Sequence, residues 1–144
     1  MTSSLLTFSG GCHCGALGVT FRTALSTPQW KIRACQCRFC RSHGALTTTD
    51  PAGRLAFHAN DAGLLQRYRF GTRSADFLIC RRCGVYIGAQ IETSRGAFGT
   101  LNTRVLERAA ESLPGALPAD YEAESPSERI ARREQRWTPL DGAL

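Results

Sequence analysis

The sequence predicts an all-β domain that ends in a short helix, and three observations carry that reading. Apolar and polar residues alternate with period two through most of the first hundred residues, the pattern of strands with one buried face. Turn-forming clusters separate these runs, as in "DPAG" (50–53) and "NDAG" (60–63). Near the end, Ser125, Pro126 and Glu128 form a helix start signal. At 144 residues the chain is expected to be one folding unit with a real core.

The elements follow in order. Leu17, Val19 and Phe21 share one face of a first clear strand, and Trp30, Ile32 and Ala34 one face of a second. Leu55 with Phe57, then Tyr68 with Phe70, repeat the alternation, leaving His58 mid-strand with no evident partner. "ADFLIC" and "VYIGAQIE" (85–92) predict two strands around a tight turn, and "AFGTLNTRVL" (97–106) one more. Residues 1–110 thus read as the domain and 111–144 as an extension packed on it. The extension opens with the proline-rich "ESLPGALPADYEAESP" and continues into a helix to about Trp137. Its few apolar positions make "RIARREQR" read as a solvated face pinned by the tryptophan.

No apolar run approaches the roughly 20 residues that a membrane helix needs. The opening "MTSSLLTFSGG" lacks the basic and apolar regions of an export signal, so a reducing cytoplasm is the expected compartment. Of the 18 basic residues only Lys31 is a lysine, and the formal charge is +6. Counting all seven cysteines as thiolates on two zinc ions lowers that charge to +3, a modest value scattered along the chain. Few aromatic residues stand outside core-like positions, so nucleic acid is not the expected partner.

Seven cysteines stand in three groups: Cys12 and Cys14 in "GGCHCG", Cys35, Cys37 and Cys40 in "ACQCRFCR", and Cys80 and Cys83 in "ICRRCG". In an extended Cys-x-Cys both sulfurs lie on one side of the chain, and Gly84 permits the left-handed turn that Cys-x-x-Cys often needs. Cys12, Cys14, Cys80 and Cys83 can therefore close a tetrahedron around one structural zinc, stapling the start of the domain to a hairpin near residue 80. Cys35, Cys37 and Cys40 are left as a set of three, which suits a reactive zinc with its fourth position open. His43 has the spacing to complete that set, whereas His13 should point away from the metal of its neighbours. Arg38 and Arg41 flank the three cysteines, where they favour thiolates and can hold carboxylates of an anionic substrate. An odd count and two Cys-x-Cys pairs argue against disulfides; an iron–sulfur cluster is the other alternative for four thiolates.

The order Cys-x-Cys, Cys-x-Cys-x-x-Cys-Arg-x-x-Gly, Cys-x-x-Cys-Gly resembles the glutathione-dependent formaldehyde-activating enzymes, a family that includes centromere protein V. The likeness covers roughly residues 8 to 108 and takes up all seven cysteines. It implies twisted antiparallel sheets of the β-tent type, a structural zinc on Cys12, Cys14, Cys80 and Cys83, and a catalytic zinc on Cys35, Cys37 and Cys40. It also implies a carbon–sulfur lyase whose thiol and aldehyde partners are glutathione and formaldehyde or their relatives. The C-terminal third departs from the formaldehyde-acting prototype, which leaves the thiol and the aldehyde open. Two other readings of the same residues are a zinc-binding module for nucleic acid or protein, and a redox sensor at the three-cysteine set. The oligomeric state is not encoded in any motif.

Overall fold

The computed structural model describes residues 4–108 and 112–144. A three-stranded antiparallel sheet contains β1 (Leu6–Gly11), β2 (Leu17–Thr23) and, further along the chain, β5 (Arg54–Ala59). The larger sheet is built from β3 (Arg33–Cys35), β4 (Thr47–Thr48), β6 (Leu65–Tyr68), β7 (Asp76–Cys80), β8 (Tyr86–Thr93), β9 (Gly96–Asn102) and β10 (Leu117–Ala119). Its order is β10-β3-β4-β9-β8-β7-β6, and β11 (Thr138–Pro139) pairs with β9. Two helices complete the fold, α1 (Arg38–His43) and α2 (Pro126–Arg136). Among the described residues no helix is long and apolar enough to cross a membrane.

The predicted alternation is visible in β2, where Leu17, Val19, Phe21 and Thr23 are buried and Arg22 is exposed. Phe21 stands opposite Leu55 and Val19 opposite Phe57, so that one face of the small sheet is apolar. Trp30 meets the rings of Phe8 and Phe21 edge-on at 4.8 and 5.2 Å, and Ile32 is buried with it, although regular strand begins only at Arg33. Against this face pack Leu78, Ile87 and Leu101 of the large sheet. Strand β8 is buried without interruption from Tyr86 to Ile91. That explains its near-continuous apolar sequence, because it is covered on both faces. A second apolar cluster, with Phe77, Tyr86, Ile91 and Trp137, completes that cover.

The two sheets approach closely at Gly88, where an added Cβ would lie 2.5 Å from the Thr100 carbonyl oxygen and 2.7 Å from the Phe57 ring. Backbone on one side and a core ring on the other leave little room for relaxation. Gly88→Ala is expected to destabilise the fold by about 1–3 kcal/mol, read as a lower midpoint in urea with an unchanged slope.

Three details differ from the expectations. The strand predicted over 97–106 ends at Asn102, because the Asn102 side chain accepts from the Arg104 amide and turns residues 103–105 into a 3-10 helix. One pair is parallel, β10 against β3, since residues 117–119 return along the free edge of β3 in the same direction. His58 has a partner after all: its Nε2 lies 3.0 Å from Thr20 Oγ1 across β2 and β5. The helix start signal at residue 125 is realised: Ser125 Oγ accepts from the Glu128 amide at 3.2 Å, and the Glu128 carboxylate accepts from the Ser125 amide at 3.0 Å.

Candidate metal centres

Two hairpin turns create the first centre. Cys12 and Cys14 sit between β1 and β2, while Cys80 ends β7 and Cys83 lies in the turn that leads to β8. Each turn is followed by a glycine in the left-handed region, Gly15 at φ 83° and Gly84 at φ 78°, which a side chain would disfavour. Cys12 Sγ accepts from the Leu17 amide at 3.2 Å and Cys80 Sγ from the Arg82 amide at 3.4 Å. At Cys83 burial raises the thiol, yet amide hydrogen bonds from Cys14 and Val85 and the neighbouring sulfurs outweigh it and bring it down to about 6.

All four sulfurs lie within 4.8 Å of one another. Cys14 Sγ is 3.8 Å from Cys12 Sγ and 3.5 Å from Cys80 Sγ. Zinc–sulfur bonds of about 2.3 Å in a tetrahedron put sulfurs ~3.8 Å apart, whereas a disulfide needs ~2.05 Å. The donor set fits a closed metal site, and none of the seven cysteines forms a disulfide.

The second centre is assembled from consecutive elements. Cys35 ends β3, Cys37 is the N-cap of α1, and Cys40 lies on α1 with 5% exposure. The Cys37 sulfur accepts from the Cys40 amide at 3.4 Å, which fixes the turn. Phe39 anchors the helix against Phe70, Phe77 and Tyr86 at centroid distances of 5.2, 4.9 and 5.0 Å. The three sulfurs lie within 4.8 Å of one another, and among the described residues no fourth histidine, cysteine or carboxylate joins them at that range. His43 instead packs its ring on Phe39 at 4.5 Å. His13 stands outside the four-sulfur set. Hydrogen bonds with Cys35 and Cys40 draw the Cys37 thiol down to about 2, whereas those with Cys35 and Cys37 push Cys40 well up. The three ligand atoms are spaced to hold a cation, which would let all three sulfurs carry charge together in this half-buried pocket.

This centre opens onto a cavity of about 420 Å³, in the range of small-molecule sites. Arg38 and Arg41 line it, as expected from their positions beside the cysteines. Phe70, Phe77, Tyr86 and Trp137 form an apolar wall. Burial, then the negative sulfurs of Cys40, Cys35 and Cys37, hold the Tyr86 phenol well above its ordinary value, so it stays an O–H donor.

The reading of α2 as a solvated face is overturned. Arg129, Arg132 and Arg133 line the same cavity, and Arg133 is only 8% exposed. Arg132 forks onto Glu124 at 2.7 and 3.1 Å and stacks over the Tyr121 ring at 3.5 Å. Arginine stems cover apolar surface readily, which is how a helix poor in aliphatic residues packs here. Positions 129, 132 and 133 share one helical stripe, with Trp137 a turn beyond; that spacing was the available signal. Arg33, which also lines the cavity, lies two residues before Cys35 on the same strand.

The glutathione-dependent formaldehyde-activating enzyme model matches residues 7–118. A crystal structure of a Rhodobacter sphaeroides protein is similar at 30% identity with a TM-score of 0.61, covering 77% of this chain and 99% of that one. With the seven cysteines gathered into a four-sulfur and a three-sulfur cluster on this β fold, the chain belongs to the glutathione-dependent formaldehyde-activating enzyme family.

Proposed function

We propose that the protein is a zinc-dependent carbon–sulfur lyase acting in the synthetic direction, adding a low-molecular-weight thiol such as glutathione to a small aldehyde such as formaldehyde. The observation that carries this reading is the three-sulfur cluster opening onto the 420 Å³ cavity. Zinc ions would be held at two places, by Cys12, Cys14, Cys80 and Cys83 for stability and by Cys35, Cys37 and Cys40 for chemistry. At the second place zinc would supply one free position to activate the thiol or polarise the aldehyde.

The remaining work falls to the chain. The thiol sulfur bonds to the aldehyde carbon, the carbonyl π bond breaks, and the thiol proton ends on the former carbonyl oxygen. Arg38 and Arg41 hold the anionic portion of the thiol by forked hydrogen bonds. Phe70, Phe77 and Trp137 exclude water from one side, and confinement of both reactants in one cavity lowers the entropic part of the barrier. The Tyr86 phenol supplies a hydrogen-bond donor on the cavity wall. Exchange NMR of a glutathione and formaldehyde mixture tests the proposal. Catalytic amounts of zinc-loaded protein should broaden the adduct signals by accelerating exchange at least about tenfold over the uncatalysed mixture. No acceleration with glutathione or any of several other small thiols would remove the catalytic reading.

A further inference from the structure

Arg133 is the least expected charge in the molecule. Its Nη1 donates to Ser74 Oγ at 2.9 Å, its guanidinium lies 4.9 Å over the Trp137 ring, and its buried Nε has no acceptor. Burial, then the charges of Arg132 and Arg129, lower it to about 10, so it remains cationic at neutral pH. Among the described residues no carboxylate lies within 4 Å of it, and the same is true of Arg33, whose Nη1 donates to Thr49 Oγ1 at 2.7 Å.

Placing an ion in such surroundings is heavily penalised, and one cation–π contact offsets only part of that penalty. The wall as a whole is positive too. Six arginines line the cavity against Asp120 and Glu122, with Glu124 paired behind Arg132 and Arg129. Three thiolates around a dication would take up one further positive charge, and a surplus of two remains. Helix α2 begins at Pro126, beyond the stretch matched by the family model, which ends at 118. Arg133 therefore lies outside the matched stretch, which carries all seven cysteines.

We propose that Arg133 and Arg33, which line the same cavity as the three-sulfur centre, form a binding subsite for a carboxylate carried by the substrate. The inference rests on the reading of that centre as a thiol–aldehyde site, and it adds a carboxylate contact to the one assigned to Arg38 and Arg41. The carboxylate belongs either to the thiol or to the aldehyde. Planar carboxylate matches the guanidinium fork.

Titration calorimetry on the zinc-loaded full chain separates these sources. N-acetylcysteine is compared with its methyl ester, and glyoxylate with methyl glyoxylate; Trp137, beneath Arg133, gives a fluorescence readout alongside. At least one acid should bind about tenfold or more tightly than its ester, and the pair that shows the preference identifies the carrier. Arg133→Gln and Arg33→Gln should each cut the preference at least about threefold, with Arg38 and Arg41 accounting for what remains. Should Arg133→Gln fail to fold, the acid-to-ester ratio of the wild type and the Arg33→Gln variant still decide. Equal affinity for both acids and their esters, or a preference that neither substitution reduces, overturns the subsite. An acid preference without any acceleration of adduct exchange would keep the subsite and remove the catalytic reading. Equal acceleration for acid and ester would do the reverse.

Discussion

Cys80→Ser is expected to leave the protein without a cooperative thermal transition, or to lower its midpoint by more than about 15 °C. Cys80 is 1% exposed, its sulfur is 3.5 Å from Cys14 Sγ, and its amide and carbonyl close the turn to Val85 and Gly84. The four sulfurs join the β1–β2 turn of the small sheet to the β7–β8 turn of the large one. A metal there ties together segments that the apolar interface otherwise aligns alone. Structural zinc contributes about 10–16 kcal/mol in isolated fingers, comparable with the entire ~5–15 kcal/mol stability of a domain. Serine removes one thiolate and leaves the other three sulfurs charged and crowded. Circular dichroism melting with a zinc count on the soluble fraction checks this; an unchanged melt at two zinc ions per chain would contradict the assignment.

The counterpart is Cys37→Ser, which should lose one zinc of two, return the adduct-exchange rate to that of the uncatalysed mixture, and leave the melting midpoint within a few degrees. The fold survives because serine is itself a preferred N-cap, and its oxygen can take over the Cys40 amide that Cys37 Sγ now accepts. Phe39 continues to hold α1 against Phe77 and Tyr86. Chemistry does not survive, because two sulfurs no longer define the open position. The contrast between the two substitutions separates a staple from a reaction centre.

The cysteine spacings made both clusters legible, because Cys-x-Cys and Cys-x-x-Cys constrain sulfur directions locally. The strands of the small sheet were legible for a related reason: Val19, Phe21, Leu55 and Phe57 alternate cleanly over a half-exposed surface. What alternation cannot report is the partner beyond the strand. The parallel return of β10 beside β3 depends on a proline-rich segment with no periodicity of its own. The same holds for α2, whose arginines look solvated until Tyr121, Ser74 and Trp137 are seen to receive them. His58 illustrates the small version, a polar residue whose partner Thr20 sits on a neighbouring strand 38 positions away.

The difference in coordination between the two cysteine clusters is the claim on which the functional reading stands. Crystallography at the zinc edge, with and without a soaked thiol, measures it most directly. Two anomalous peaks are predicted, one enclosed by Cys12, Cys14, Cys80 and Cys83 and unaltered by the soak. The other should sit on Cys35, Cys37 and Cys40 with a fourth ligand that exchanges for the added sulfur. A second ion carrying four side-chain donors, or no ion at that cluster in zinc-replete protein, would contradict the account.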